Sequence, residues 1–177
     1  GDKVVVTVGM SEATTVTGTP TYAIDVGGVS KTATYVSGSG TNSLKFSYTV
    51  ATGDADSSGG ITADTSSALA LAGGTLKDAA GNDATLTTPN AASNTLLVDA
   101  VAPTVSSATI TATDSLDVAK TTTLVAGDKV VVTVAMSEAT TVTGTPTFAI
   151  VVGGVTKTAT YVSGSGTNSL KFSYTVA

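Results

Sequence analysis

The sequence predicts an all-β fold made of antiparallel β-sandwich domains in tandem. Three observations support this prediction. β-Branched residues, which suit the half-buried surface of a sheet, are abundant in the 177 residues, whereas aromatic residues make up only 5%. Short apolar or alternating segments are separated by Gly-rich turns, which is the pattern of many short strands packed as two sheets. The third observation is an internal repeat as long as a whole domain.

Strand patterns recur along the chain. The run KVVVTVGM at 3–10 is continuously apolar, which is typical of a strand buried on much of both faces or in a sandwich centre. In TYAIDV, at 21–26, Asp25 lies on the face opposite the apolar residues. The repeat has Val151 at this position, which indicates that the face is wet or lies at a sheet edge. LKFSYTV, at 44–50, alternates and predicts one buried face. In chain order, strands are predicted at 3–10, 21–26, 31–36, 44–50, 67–74, 95–100 and 104–113.

Residues 1–51 return almost unchanged at 127–177. An offset of 126 residues (127 minus 1) is too long for a solenoid unit and matches a domain with its linker. The chain is therefore expected to be part of a tandem array. The two copies differ at only four positions, Gly9/Ala135, Tyr22/Phe148, Asp25/Val151 and Ser30/Thr156.

The repeat sets the expected domain boundaries. We expect one repeat at 1–100, which lacks its N-terminal strand region, and the start of the next at 101–177, which lacks its C-terminal part. The linker is predicted at about 96–103, where Pro103 stiffens the crossing. Two explanations of the incomplete repeats stay open. Either the sequence is a piece of a longer array, or another copy supplies the missing strands.

Composition excludes several classes of protein. The net charge is −5, and the chain contains no cysteine and no histidine, so disulfides, thiolate metal sites and thiol nucleophiles are excluded. Without histidine the commonest general base is missing, and no nucleophile elbow or phosphate loop occurs, so we predict no enzyme activity. The acidic balance argues against nucleic acid. No apolar run is long enough to span a membrane, and no signal peptide is visible.

Four segments together identify the type of repeat. VAPTV (101–105), VVVTVAMSEATTVTGTPTF (130–148), YVSGSGTNSLKFSYTVATGDADSSGGI (35–61) and GGTLKDAAGN (73–82) resemble the tandem Ig-like extender repeats of giant RTX-type bacterial adhesins. The resemblance covers essentially the whole chain. It implies Ig-like sandwiches in a secreted fibre at the bacterial cell surface, which projects a ligand-binding tip. It also implies neighbouring repeats as partners, and Ca²⁺ that stiffens the domain junctions.

Acidic residues are expected to gather at the domain ends. Because successive strands of a sandwich run up and down, Glu12 and Asp78 fall at the top of the first repeat and Asp99 at its bottom. Glu138 is the counterpart of Glu12, and with the resemblance we expect it to meet Asp99 at the junction. Carboxylates without a nearby cation repel one another. Ca²⁺, which accepts about six to eight oxygens, would relieve that repulsion.

The loop GDADSSGG predicts a second calcium site. Asp54, Asp56 and Ser58 stand at positions 1, 3 and 5 of a D-x-D-x-S-G loop that resembles the first half of an EF-hand loop. Thr65 stands at position 12, where the EF-hand has a glutamate. The missing ligand is expected either from Asp64 or from Asp114 and Asp117 in the neighbouring loop at the same end.

Simpler interpretations stay open beside the calcium sites. Asp and Gly also form ordinary turns, and we expect Asp2, Asp83 and Asp128 in solvated loops. Two other functions also stay open for the chain. One is sugar or ice binding through the Thr-rich strand at 104–113, and the other is a filament or lattice in which copies exchange strands at open sheet edges. Neither requires nucleic acid or direct membrane contact.

Overall fold

The computed structural model describes residues 1–63, 68–87 and 94–177. Within them the secondary structure consists of strands in antiparallel sheets, which confirms the predicted all-β class and is consistent with a sandwich. This part of the chain contains no helix that could cross a membrane. The chain divides into two compact units, Gly1–Val101 and Ala102–Ala177, and the division falls inside the predicted linker.

The first unit contains strands β1 to β9. These strands are β1 (Lys3–Thr17), β2 (Thr21–Val26), β3 (Val29–Ser37), β4 (Thr41–Thr49), β5 (Ala55–Asp56), β6 (Thr62–Ala63), β7 (Leu69–Ala70), β8 (Thr75–Lys77) and β9 (Val98–Asp99). The main sheet has the order β6-β2-β3-β4-β1-β8, and β7 also pairs with β2. Strand β5 pairs with β9.

The second unit contains strands β10 to β14, in one sheet of order β10-β11-β14-β13-β12. Strand β11 repeats the sequence of β1, and β12 to β14 repeat β2 to β4. The strands are β10 (Val105–Thr113), β11 (Lys129–Thr140), β12 (Thr147–Val152), β13 (Val155–Ser163) and β14 (Thr167–Thr175).

The core of the first unit is lean and centred on one phenylalanine. Phe46 and Leu44 of β4 are fully buried, as the alternation of this segment predicts. The Phe46 ring lies 5.8 Å from the rings of Tyr22 and Tyr35, so three neighbouring strands contribute to one aromatic cluster. On the opposite face, Asp25 of β2 is half-buried, whereas Val151 at the equivalent position of β12 is 70% exposed.

Strands β1 and β11 have nearly the same sequence but different burial. Val132 of β11 is fully buried, whereas its counterpart Val6 of β1 is only partly buried. Of the two environments predicted for 3–10, burial on much of both faces is wrong for β1, because Val5 is 58% exposed. The cause is the neighbouring strand. β10 pairs with β11, whereas in the described residues β1 has no such partner between Lys3 and Met10, since β8 pairs only with Thr15–Thr17.

Candidate functional site

One end of the first unit carries a polar cleft. Glu12, Asp78, Asn82 and Asp83 line an open cleft of about 590 Å³. Glu12 lies where the pairing of β1 with β4 shifts register, and Asp78 lies in the turn directly after β8. The structure therefore brings together the two carboxylates that we expected at the top of this unit.

The cleft carboxylates differ in their contacts. Asp78 accepts hydrogen bonds from the Ala80 amide, the Asn82 amide and Asn82 Nδ2, at 2.9, 2.8 and 2.7 Å. The Asn82 side chain, together with these amides, lowers the pKa of Asp78. Asp83 pairs with Lys77 at 2.6 Å in an exposed position. Glu12 is exposed, and only its backbone carbonyl accepts a hydrogen bond in the described residues, from Thr14 Oγ1 at 3.1 Å.

The opposite end of the first unit carries Asp56, Ser58 and Asp99. Strand β5 pairs with β9, which places Ala55 opposite Asp99. Asp99 is exposed, and its Oδ1 accepts a hydrogen bond from the Val101 amide at 3.3 Å. Asp56 is buried and accepts a hydrogen bond from the Ser58 amide at 3.0 Å. These residues therefore lie at one end of the unit.

Asp54 has a different environment from the one expected at position 1 of a calcium loop. Its side chain is only 3% exposed and lies 2.7 Å from Lys31 Nζ. It also accepts hydrogen bonds from the Tyr48 hydroxyl at 2.6 Å and the Ala51 amide at 2.8 Å. Lys31, followed by Tyr48 and Ala51, lowers the pKa of Asp54 to about 2. A cation at this position would have to displace the lysine.

The second unit contains a similar ion pair at Asp128, which corrects the expectation of a solvated loop charge. Asp128 is buried, pairs with Lys120, and accepts a hydrogen bond from the Val125 amide at 2.7 Å. Lys120 lowers the pKa of Asp128. The signal in the sequence is a recurring turn, since ATGD (51–54) and VAGD (125–128) both end in the buried aspartate.

Asp114 and Asp117 act within the second unit as turn and pairing residues. Asp114 Oδ1 accepts hydrogen bonds from the amides of Leu116 and Val118, at 2.8 and 3.0 Å. Asp117 has a φ of 65° and lies 2.8 Å from Lys129 Nζ. Both aspartates belong to a different unit from the Asp54 loop. The other expected positions of that loop, Asp64 and Thr65, lie outside the described residues.

Glu138 has an unsatisfied oxygen. Its Oε1 is buried and has no hydrogen-bond partner in the part of the chain that the structure describes. The segment at the start of the second unit lies beside Ser137, the residue before Glu138. The Ser137 amide donates to the Thr104 carbonyl at 2.8 Å, and the Thr104 amide donates to Ser137 Oγ at 2.9 Å. Asp99 belongs to the first unit and Glu138 to the second.

The fit to a metal ion is therefore partial. Within 1–63, 68–87 and 94–177, no three Asp, Glu, His or Cys side chains are grouped to hold a metal. What fits Ca²⁺ is the chemistry of the donors, because carboxylate, amide and hydroxyl oxygens are hard ligands. No protein-family model, curated protein or solved structure matches this chain.

Proposed function

We propose that this chain is part of a structural extender in a secreted adhesin fibre at the bacterial cell surface. The observation that carries the proposal is the repeat. Two segments of 51 residues that differ at only four positions suit a spacer, because each added copy adds length with the same surface. The resemblance of these segments to Ig-like extender repeats supports the same function. The partners of each repeat are then its neighbours in the chain.

Calcium is the proposed ligand at the ends of the units. The Glu12 and Asp78 cleft supports this proposal, because it collects acidic and amide oxygens at one end of the first unit. The buried Oε1 of Glu138 supports it independently, since an unpaired buried carboxylate oxygen is costly and a cation would satisfy it. Asp99, exposed at the other end of the first unit, is the proposed ligand from the preceding repeat.

The ion pairs narrow the proposed ligand set. Asp54 is buried against a lysine and Asp117 pairs with one, while Asp114 Oδ1 accepts two amides of its own turn, so we propose structural roles for these three side chains. Asp56 and Ser58 remain candidate ligands in the loop after β5. In this proposal Ca²⁺ draws the ends of neighbouring repeats together and removes freedom from the linker. Without it, the like charges repel.

The test is a thermal melt of the whole chain with millimolar Ca²⁺ and again after chelation. A cation that binds only the folded state stabilises it by about 2.7 kcal/mol at a hundredfold excess over its dissociation constant. We expect chelation to lower the melting temperature, and Glu138→Gln to remove most of that difference. Asp25→Asn is the matched control, because the repeat carries valine at this position.

Two results would contradict the calcium proposal. One is a melting temperature that chelation leaves unchanged. The other is a calcium response that survives in the Glu138→Gln, Glu12→Gln and Asp99→Asn variants alike. Mg²⁺ in place of Ca²⁺ serves as the specificity control, since Mg²⁺ requires a stricter octahedral site.

A further inference from the structure

The chain passes from the first unit into the second between Val101 and Ala102, so the residues just before this point attach the first unit to the linker. We propose that Val98–Ala100, called the exit segment below, detaches under tension before either unit unfolds, and that Asp54 sets the force at which it does so. This inference rests on the proposed extender function, because a spacer within a fibre carries tension. It requires no calcium.

The exit segment is held by few backbone hydrogen bonds. Strand β9 pairs with β5 over two residues, and in the described part of the chain these two strands form a sheet of their own. Beyond this pairing, the Ala100 amide donates to the Asp54 carbonyl and the Gly53 amide donates to the Ala100 carbonyl, both at 2.8 Å. The bonds of Ala100 lie nearest to the linker, so tension in the linker reaches them first.

The chain on the other side of the linker is held by a longer ladder. The second unit begins with β10, which pairs with β11 from Val105 to Thr113. Tension is the same at every point of a stretched chain, so it loads β9 and β10 equally. A segment with few hydrogen bonds opens at a lower free energy than one within a long ladder. The exit segment should therefore yield first.

Asp54 connects the exit segment to the main sheet. Its carbonyl accepts the Ala100 amide, while its buried side chain lies 2.7 Å from Lys31 Nζ of β3 and accepts the Tyr48 hydroxyl of β4 at 2.6 Å. Load on Ala100 is thus passed through Asp54 to two strands of the main sheet. Without these side-chain contacts, the backbone at Asp54 could move with the exit segment, and detachment would require less force.

The structure also limits the length that detachment can release. Before the exit segment, Asn94 Nδ2 donates to the Ile61 carbonyl at 2.6 Å, which is the next contact that holds this part of the chain within the described residues. Detachment up to Asn94 frees the seven residues 95–101. An extended chain spans at most about 3.6 Å per residue, so the release is at most about 25 Å. Unfolding of a whole unit would release far more.

The first test stretches single molecules of the intact chain in an optical trap, in the presence of a chelator. Because the chain has no cysteine, handles can be attached through Lys45→Cys and Lys171→Cys, which are exposed and equivalent positions of β4 and β14. Force then passes through the exit segment and the linker. We expect a short reversible step of at most about 25 Å before any longer step.

Two matched variants test the role of Asp54. Asp54→Asn loses the charge of its contacts with Lys31 and Tyr48, so it should favour opening of the exit segment at least about tenfold at a given force. Asp128→Asn removes the same charge from the buried pair with Lys120 in the second unit and should leave the short step unchanged.

A third variant and a measurement without force keep the proposal testable if Asp54→Asn does not fold. Ala100→Pro removes the amide that donates to Asp54 and should shift the short step to lower force. In the native chain, hydrogen exchange should show the amides of Gly53 and Ala100 opening together, and faster than the slowest amides of β1 and β4.

Three results would overturn the exit segment as the first point of release. One is a first event that unfolds a whole unit. Another is an equal effect of Asp54→Asn and Asp128→Asn on the short step. The third is exchange of Gly53 and Ala100 no faster than that of the main sheet. All three are measured in chelator, so none of them bears on the calcium-stiffened extender, which the melting experiment tests.

Discussion

Replacing Tyr48 with phenylalanine should destabilise the first unit, whereas the same change at Tyr174 should not destabilise the second. The two tyrosines occupy equivalent positions in β4 and β14, whose sequences are identical. Tyr48 donates a hydrogen bond to Asp54, and the second unit has no counterpart of Asp54 in its sequence. Comparing the two variants therefore separates the loss of the hydrogen bond to Asp54 from the loss of the hydroxyl group itself.

The size of the effect follows from the geometry of the contact. The Tyr48 hydroxyl lies 2.6 Å from Asp54 Oδ2, a length typical of a hydroxyl that donates to a charged oxygen. Hydrogen bonds to charged groups contribute about 1.5–3 kcal/mol. Lys31 and the Ala51 amide still contact Asp54 in the variant, so we expect the lower limit, about 1.5 kcal/mol. For a unit of this size that corresponds to roughly 6–12 °C in melting temperature.

The same variant should change the response to acid. The pKa of Asp54 is lowered from its ordinary value of 3.8 to about 2, so its contribution to stability is fully present above pH 3.8 and is lost as the pH falls through about 2. Removing the hydroxyl should raise this pKa towards the ordinary value, and the acid loss of stability should begin at a higher pH. NMR titration of the Asp54 carboxyl carbon measures the shift.

The assay is urea unfolding followed through resolved NMR signals of each unit, so that the two transitions are read separately. Equal destabilisation by Tyr48→Phe and Tyr174→Phe would refute the reasoning, because it would assign the loss to the ring environment. An unchanged Asp54 titration in Tyr48→Phe would refute the hydrogen bond itself.

Two further predictions use the repeat or the second ion pair. Gly27→Ala should destabilise the chain more than Gly153→Ala. A Cβ at Gly27 would meet the Ala55 carbonyl, whereas nothing lies within 4 Å of a Cβ at Gly153. Both glycines have φ near 60°, so both variants share the cost of a left-handed backbone, roughly 1–2 kcal/mol. Urea midpoints of the two variants measure the difference, and equal midpoints would contradict the clash. Lys120→Ala should raise the pKa of Asp128, so that acid destabilises the second unit at a higher pH. Carboxyl NMR measures that pKa, and a value unchanged from the native chain would exclude the pairing.

The strand pattern could be predicted from the sequence because it is local. Successive side chains of a strand point to opposite faces, so the alternation in LKFSYTV predicts that Leu44 and Phe46 share one buried face. Both are fully buried. The placement of Glu12 and Asp78 in one cleft could also be predicted. Successive strands run in opposite directions, so counting the strands shows which loops lie at the same end of the unit.

The roles of individual aspartates could not be predicted in the same way. Asp54 and Asp128 are buried against Lys31 and Lys120. Lys31 belongs to β3, and Lys120 lies eight residues before Asp128, so which lysine reaches each carboxylate depends on how the chain folds back. A D-x-D-x-S-G spacing reports the order of oxygens along the chain. It does not report that a lysine from β3 already contacts the first of them.

The two copies of one strand show that burial is decided by neighbours as much as by sequence. Val6 and Val132 have the same flanking residues, yet only Val132, beside β10, is fully buried. The same strand sequence is therefore buried to a different extent when a different strand lies beside it, and alternation along the strand cannot report which neighbour is present.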